Sequence, residues 1–286
     1  MNEPQRKGIK LQSVKNFNNI DFTKSNNFLN KFYSDLNLNE IKLLNTLFYI
    51  FSSYSKITKN EATTREVFKQ HFLRENYFQF NYQVLLKLMN LKHTDLTLNE
   101  FEECLENIQS QKFKYIKMTE NSTIKTSTTF LWKYQIIKQK DVFNDEIQKE
   151  TTIKMWFDKE LYEDIFNYTK IGYTTLNINI NKVSSKLGVG LYEELKRITN
   201  LKQVHKKDNK YSVKSKYKQN HEYTLEELNE ICGTNFKYLT HIKSKIEIQY
   251  NKLLKLKLID DKYKFYVENK KFYIDIVRFT YEEDLL

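Results

Sequence analysis

Four polar side chains near the C-terminal end of the chain, Lys237, His241, Ser244 and Lys245, could recognise the edge of a base pair. The lysine ammonium suits the O6 and N7 acceptors of guanine, and a serine hydroxyl can serve either base. Positions 241, 244 and 245 are separated by steps of three and four, which places them on one face of a helix. The spacing therefore predicts a basic helix face that could read duplex DNA directly in the major groove.

The segment 223–258 supplies two helices that would position these side chains. Thr224 begins a capping-box pattern at the start of a short acidic helix, and Gly233 is typical of a helix end. Asn235 is the predicted cap of the next helix, 236–256, in which apolar residues recur at steps of three and four. Two helices joined by a tight glycine turn, the second one basic, match a helix-turn-helix. An ordinary pair of surface helices is the alternative interpretation.

A lysine-rich segment between Leu201 and Gln219 precedes the helix pair, and residues 202–218 are predicted to be a loop or a short hairpin. It holds seven lysines and one acidic residue, Asp208, with Tyr211 and Tyr217 interleaved. Lysines in such a segment can contact phosphates and set the register on DNA without reading its sequence. The predicted phosphate contacts are Lys206, Lys207, Lys214, Lys216 and Lys218, together with Lys270 and Lys271 from a later hairpin. A solvated loop in a lysine-rich chain is the alternative.

The composition favours a polyanionic partner. The 286 residues carry a formal net charge of +11, and 40% of them are hydrophobic, enough for one large core or two ordinary ones. Abundant lysine, asparagine and isoleucine, with one proline and five glycines, is the bias that an AT-rich genome produces. The position of the lysines is therefore more informative than their total.

Several function classes lack their motifs. No glycine pattern matches a phosphate-binding loop, no cysteine and histidine cluster matches a zinc site, and no His-x-His occurs of the kind a rolling-circle nicking enzyme needs. We therefore predict no catalytic residue, no metal and no cofactor, although acidic nuclease sites stay open because Asp and Glu are plentiful. Cys104 and Cys232 are predicted to be small buried hydrophobes and not a disulfide.

The N-terminal residues and the hydropathy predict a soluble cytoplasmic protein. Residues 1–20 are polar and contain no apolar signal-peptide core. No stretch approaches the ~20 apolar residues that a membrane span needs. A membrane is accordingly not among the expected partners.

Both halves of the chain show a few helical patterns followed by β-like segments. In the first half the predicted helices are 36–51, 82–91, 97–109 and 158–168, and the predicted strands are 113–119, 127–137 and 151–157. In the second half residues 176–186 are helical or partly so, 191–201 and the helix pair follow, and 263–267 and 271–279 form a hairpin. A three-helix core with an appended hairpin is a winged helix.

We therefore predict an α+β fold with two tandem winged-helix domains. Residues 1–25 are predicted to be a flexible N-terminal arm, 26–170 the first winged-helix domain and 171–286 the second, which would be the main DNA-binding domain. One irregular α+β domain is the alternative.

The two predicted domains differ in the charge of their candidate recognition helices. The helix 97–109 carries Glu100, Glu102, Glu103 and Glu106 and no lysine or arginine, so it would repel phosphate. We therefore expect the first domain to make dimer or host-protein contacts, and leave open whether it also touches DNA.

A motif at the start of the second half resembles a known family. The motif residues in 173–197 are Tyr173-Thr174, Ser184-Ser185 and Leu191-Tyr192-Glu193-Glu194-Leu195-Lys196. They resemble the signature of plasmid replication initiators of the initiator-replication (Rep_3) family, which usually carries a basic residue where this chain has Gly190. Residues 38–44 also resemble the first helix of that family, and the resemblance spans roughly residues 30–280. A capped amphipathic helix is the alternative interpretation of the motif.

The resemblance implies tandem winged helices that bind direct repeats, called iterons, in double-stranded DNA at a plasmid origin. It further implies recruitment of a host initiator and replicative helicase, and no catalysis by the chain itself. In that family a homodimer in equilibrium with a monomer represses its own promoter, and the monomer initiates. The alternatives are a winged-helix transcription regulator without a replication role, an origin-nicking enzyme, and a protein-binding module that is basic through codon bias.

Overall fold

Helices and strands alternate along the chain in an order that occurs twice. The structure, a computed structural model, describes residues 9–11, 21–25, 35–55, 69–74, 77–118, 123–138, 151–159, 173–199, 202–207, 210–215 and 220–276. The fold is α+β, as predicted.

In the first unit, four of the seven described strands belong to one sheet. In chain order its elements are β1 (Ile9–Leu11), β2 (Asp21–Ser25), α1 (Leu38–Ser55), β3 (Phe78–Asn81), α2 (Tyr82–Leu88), α3 (Leu98–Ser110), β4 (Lys112–Met118), β5 (Thr123–Thr129), β6 (Leu131–Lys138) and β7 (Thr151–Phe157). The sheet has the order β1-β3-β7-β6, and β4 and β5 form a separate hairpin between α3 and β6.

The second unit repeats the pattern. Its elements are β8 (Tyr173–Asn177), a 3₁₀ helix (Ile178–Lys182), α4 (Lys186–Thr199), β9 (Lys202–Lys207), β10 (Lys210–Ser215), β11 (Asn220–Tyr223), α5 (Leu225–Cys232), α6 (Leu239–Lys255), β12 (Tyr263–Glu268) and β13 (Lys271–Ile276). The sheet has the order β11-β13-β12, and β9 and β10 form a separate hairpin.

Both units have the connectivity of a winged helix. In the first, α1, β3, α2, α3, β6 and β7 occur in this order, with the β4–β5 hairpin inserted before β6, and β7 lies between β3 and β6. In the second, α4, β11, α5, α6, β12 and β13 occur in the same order, with the β9–β10 hairpin inserted after α4, and β13 lies between β11 and β12. The last strand of each unit thus pairs with two strands, β3 and β6 in the first unit and β11 and β12 in the second.

Side-chain caps fix where the helices of the first unit begin. The Asn37 carboxamide accepts the N–H of Glu40 at 3.0 Å, and the Glu40 carboxylate accepts the N–H of Asn37 at 2.7 Å. Thr97 and Glu100 form the same reciprocal capping box at the start of α3. Each box satisfies N–H groups that the first helical turn leaves without partners. The helix predicted from residue 97 begins at Leu98 with Thr97 as its cap, and the helix predicted from residue 36 begins at Leu38.

A short antiparallel ribbon joins the N-terminal segment to the second unit. β2 pairs with β8 over five residues, from Asp21 opposite Asn177 to Ser25 opposite Tyr173. The Phe22 side chain on this ribbon is fully buried and contacts Tyr49 of α1 edge to face. The ribbon therefore closes the core between α1 and α4.

The 3₁₀ helix makes a second link between the two units. Asn181 is 1% exposed, and its amide nitrogen donates to the Thr46 hydroxyl at 3.1 Å and to the Leu88 carbonyl at 2.9 Å. These acceptors lie on α1 and at the end of α2. Because a buried amide without partners is costly, the bonds fix the position of the 3₁₀ helix against the first unit.

A buried ion pair lies at the centre of the contact between the units. The Lys24 ammonium on β2 lies 2.9 Å from the Glu193 carboxylate on α4, and their side chains are 3% and 0% exposed. The same ammonium donates to the side-chain amide oxygen of Asn45 on α1 at 3.4 Å. It also lies 5.6 Å from the centre of the Phe48 ring. Three elements from both units therefore meet at one lysine.

Two further residues of the motif at 191–196, here called the Leu-Tyr-Glu motif, are also buried: Tyr192 and Glu194. The Tyr192 hydroxyl accepts the N–H of Asn177 at 2.9 Å, and burial raises the pKa of this tyrosine. The Glu194 carboxylate accepts from Arg197 Nε at 2.7 Å and from the Tyr223 hydroxyl at 2.6 Å. The motif thus attaches α4 to β8 on one side and to β11 on the other.

Gly190 allows α4 to approach α5 closely. A β-carbon added at Gly190 would overlap the carbonyl oxygen of Ile231 and lie 3.0 Å from the Cα of Cys232. Both obstacles are backbone atoms, so no rotamer change can make room. The packing of α4 on α5 therefore explains why this chain has a glycine where the resembled family usually has a basic residue.

One of two predictions about local structure is wrong. Residues 1–25 do not form a flexible arm throughout, because Ile9–Leu11 pair in parallel with β3 and Asp21–Ser25 pair with β8. Residues 176–186 are helical in part, one of the two expected forms: Leu176 and Asn177 end β8, and the 3₁₀ helix follows, because the Asn177 side chain accepts the N–H of Asn179 and caps a new turn.

Other predictions are confirmed or lie outside the described residues. Cys104 and Cys232 are free and buried, and burial raises the pKa of each thiol to about 12. The hairpin alternative for residues 202–218 is confirmed as far as β9 and β10 are described. The predicted helix 158–168 lies outside the described residues apart from its first two positions.

Replacing Lys24 with Met should lower the free energy of unfolding by roughly 3–5 kcal/mol, because it leaves the buried Glu193 carboxylate without this cation. Urea denaturation of the full chain measures the change. The exposed ion pair between Lys243 and Glu247 on α6 supplies the control, and Lys243→Met should cost no more than about 1 kcal/mol. Equal losses for the two variants would contradict the central role of the buried pair.

Replacing Gly190 with Ala should destabilise the protein by about 1–3 kcal/mol through the overlap with α5, although alanine is the better helix former. At Gly188 an added β-carbon would meet only side-chain atoms, of Val183, Gln249 and Ser185. Gly188→Ala is therefore the matched control, and thermal melts should show a smaller loss for it than for Gly190→Ala.

Candidate nucleic-acid interface

One face of α6 is anchored in the core of the second unit. Ile242, Ile246, Tyr250 and Leu253 are buried at steps of three and four. The Tyr250 hydroxyl donates to the Asp261 carboxylate at 2.8 Å, and its ring meets Phe265 of β12 edge to face. This anchoring fixes which side of the helix faces outward.

The outward side of α6 carries the predicted reading residues. His241, Ser244 and Lys245 are all exposed, as is Lys237 in the turn before the helix. The structure therefore brings three of the four together on one helix face. Lys237 lies in the turn, two positions before Leu239, where the helix begins.

The predicted cap of α6 is wrong. Asn235 does not cap the helix, which begins at Leu239 with Tyr238 as its N-cap residue and no side-chain cap bond. The reason lies in α5: the Asn229 carboxamide accepts the N–H of Phe236 at 2.8 Å and donates to the Phe236 carbonyl at 2.9 Å. These bonds hold Phe236 in the turn, so the helix can begin only after it.

The turn between the two helices has the predicted glycine stop. Gly233 has φ of 59°, a left-handed conformation that glycine adopts without strain. The N–H of Thr234 then reaches back to the Asn229 carbonyl at 2.9 Å. The turn places the start of α6 beside the end of α5, which is the arrangement of a helix-turn-helix.

Tyr238 is a candidate contact that the sequence patterns did not indicate. It is 62% exposed, the largest value among the exposed apolar side chains of the described residues. Its ring lies 5.4 Å from that of His241 and meets it edge to face. The signal in the sequence was a tyrosine directly before a basic helix. The predicted helix start at residue 236 placed this tyrosine inside the helix, so the signal was not recognised.

The wing of the second unit is a tight hairpin. Asn269 and Lys270 have φ of 48° and 59°, so the chain reverses in two residues. Lys264 and Lys270 are exposed, whereas Lys271 forms an ion pair with Glu222 of β11 that raises the pKa of the lysine. Of the two predicted wing contacts, Lys270 is the better placed for phosphate, because a carboxylate already accompanies Lys271.

The lysine-rich hairpin is inserted between α4 and β11. Lys206 and Lys207 lie in β9 and Lys214 lies in β10, where Lys207 pairs with Lys210 and Lys206 with Tyr211. The predicted contacts Lys216 and Lys218 lie outside the described residues. The hairpin directly precedes the first strand of the winged helix that carries α6.

The corresponding helix of the first unit has the opposite charge. Glu100, Glu102, Glu103 and Glu106 are all exposed on α3, and Phe101, Cys104, Leu105 and Ile108 anchor the other side. A carboxylate face repels phosphate, so α3 has the position of a recognition helix without its charge.

The described residues contain neither a metal-binding cluster nor a membrane-spanning helix. In the part of the chain that the structure describes, no three His, Cys, Asp or Glu side chains lie together as a metal site would require. Among the same residues no helix has the length and apolar character needed to cross a membrane.

Comparisons with known proteins show limited similarity. No protein-family model matches the chain, and no curated protein matches it. Among solved structures, "Crystal structure of SeMet derivatives of domain2 and domain 3 of RctB" is similar over 89% of this chain and 85% of that chain, with a TM-score of 0.47 and 14% identity. The winged-helix assignment therefore rests on the connectivity of the two units, and the resemblance to plasmid initiators rests on the motif residues.

Replacing Lys245 with Ala should weaken binding to the preferred DNA site by about 1–3 kcal/mol and relax one base position, because an exposed lysine on the reading face would be lost. Selection from a randomised duplex pool, followed by titration of the selected site, measures both effects.

Lys255→Ala on the same helix is the control for this prediction. Lys255 is exposed in the last turn, about 15 Å along the axis from Lys245 at 1.5 Å per residue. It should leave the selected sequence unchanged. An unchanged sequence for the Lys245 variant as well would remove Lys245 from base readout.

Proposed function

We propose that this protein is a plasmid replication initiator that binds direct repeats at the plasmid origin. The observation that carries the proposal is the charge difference between two winged helices of the same connectivity. Polar and basic side chains cover the outward face of α6, and glutamates cover the outward face of α3. One DNA-reading unit and one unit free for protein contacts would follow from this difference.

The proposed DNA contacts divide into two classes. His241, Ser244 and Lys245 on α6, with Lys237 before it, would read base edges in the major groove. The lysines of the β9–β10 hairpin and Lys270 in the wing would contact phosphates on either side of the groove and set the register. The reading helix and the wing belong to one rigid unit, whose core holds Ile242 and Phe272 fully buried.

The Leu-Tyr-Glu motif, which carries the family resemblance, has a structural role in this proposal and makes no DNA contact. Its side chains do not reach the outward face of α6, because Tyr192, Glu193 and Glu194 are all buried, and Glu193 pairs with Lys24 of β2. In this proposal the motif fixes the orientation of one winged helix relative to the other. A fixed orientation suits direct repeats, since each copy would then present its first unit in the same direction along the DNA.

The first unit would make the protein contacts of initiation. Its acidic α3 is a poor partner for DNA, so we assign to this unit the homodimer contact and the contacts with host initiator and helicase. Repression of its own promoter by the dimer would follow from the same DNA-binding unit. No step of the proposed function requires a cofactor or catalysis by the chain.

Titration of the full chain against DNA from beside its own gene tests the proposal. Retarded bands that increase in number with the count of direct repeats, together with plasmid maintenance that depends on the protein, would support an initiator. Binding to an inverted repeat without any effect on plasmid maintenance would support a transcription regulator instead. Nicks in supercoiled DNA with Mg²⁺ would indicate an enzyme.

Replacing Lys206 and Lys214 together with Ala should weaken binding to all duplexes alike and reduce the salt slope of log Kd by about two, because two phosphate contacts would be lost. Fluorescence anisotropy at several salt concentrations measures the slope. Lys87 and Lys92 are exposed lysines of the first unit, and their double alanine variant is the charge-matched control. Equal slopes for the two double variants would exclude the hairpin from the DNA contact.

A further inference from the structure

An isoleucine lies on the proposed reading face of α6. Ile248 is 48% exposed, and it follows His241, Ser244 and Lys245 at steps of seven, four and three. These steps place its side chain on the same strip of the helix surface. The apolar anchor residues Ile242 and Ile246 face the opposite side and are fully buried.

Exposed large apolar side chains are concentrated around this helix. Among the described residues, five are exposed, and three of these, Tyr238, Ile248 and Leu256, lie on α6 or directly beside its ends. Single exposed apolar residues need no explanation, but three of them along one helix and its two ends point to a ligand with apolar groups of its own.

The surroundings of Ile248 are cationic. Lys245 and Lys252 lie one turn before and one turn after it, and both are exposed. The nearest acid in sequence, Glu247, lies 3.2 Å from the Lys243 ammonium and is neutralised by it. An apolar protein partner would have to bury both flanking lysines, whereas a DNA groove offers phosphates to them and an apolar group to the isoleucine.

Isoleucine can read only one feature of the major groove. Its side chain carries no donor and no acceptor, and the apolar group on a base edge there is the C5-methyl group of thymine. We propose that Ile248 is a specificity-determining residue that selects thymine at one position of the binding site. This inference rests on the proposed function, because it assumes that α6 lies in the groove.

Replacing single thymines with deoxyuridine tests the contact, because deoxyuridine lacks only the C5-methyl group. The duplex is the one that the full chain selects from a randomised pool, and each thymine is replaced in turn. For the natural chain, one substitution should weaken binding about fourfold, the value that ~0.8 kcal/mol per buried methylene-sized group gives. Ile248→Ala should bind the thymine duplex about as weakly as the natural chain binds that uridine duplex.

The variant should also lose the discrimination itself. Ile248→Ala should bind thymine and uridine duplexes alike at the sensitive position, and Leu256→Ala, a change of another exposed apolar residue beyond the helix end, should keep the fourfold difference. Because Ile248 is exposed, its alanine variant should melt within a few degrees of the natural chain, which circular dichroism checks.

Different results separate the two proposals. If selective binding is present but no thymine is sensitive, or if Ile248→Ala keeps the sensitivity, the isoleucine contact is wrong and the proposed function stands. If the full chain selects no sequence at all, the proposed function and this inference are both overturned. A sensitive thymine whose discrimination disappears only in Ile248→Ala supports the inference.

Discussion

The structure depends on the burial of one lysine and one glutamate between two winged helices. A buried charge without a partner is strongly unfavourable, so Lys24 on β2 and Glu193 on α4 are stable there only together. β2 and β8 must therefore pair and α4 must turn this face toward α1 at the same time. The single orientation of the two units follows from that electrostatic requirement and from the hydrogen bonds of Asn181.

The same fold places opposite charges on two equivalent helices. α3 and α6 each bury one apolar strip, and the order of the sheet strands around them corresponds, but the exposed strips differ in the sign of their charge. Phosphate attraction and repulsion act on the exposed strip alone. The same connectivity can thus carry a basic helix face in one unit and an acidic helix face in the other.

The sequence predicted what local interactions determine. The capping residue Thr224 located the start of α5, helical spacing predicted α1 and α3 to within two residues of their starts, and apolar spacing identified the exposed face of α6 with three of the four side chains predicted to read DNA. The strand 21–25 was missed because it is short, polar in part, and paired with residues about 150 positions away, so no local pattern marks it. The start of α6 was misplaced for a similar reason, since Asn229 holds Phe236 in the turn from the preceding helix.

The motif that suggested a family and the surface that would read DNA have separate physical roles. Tyr192, Glu193 and Glu194 are buried, so changing them lowers the free energy of unfolding, and changing Glu193 also removes its ion pair with Lys24 across the two units. His241, Lys245 and Ile248 are exposed, so they can be changed at little cost to the core. The DNA specificity proposed for α6 can therefore vary while the buried motif stays the same.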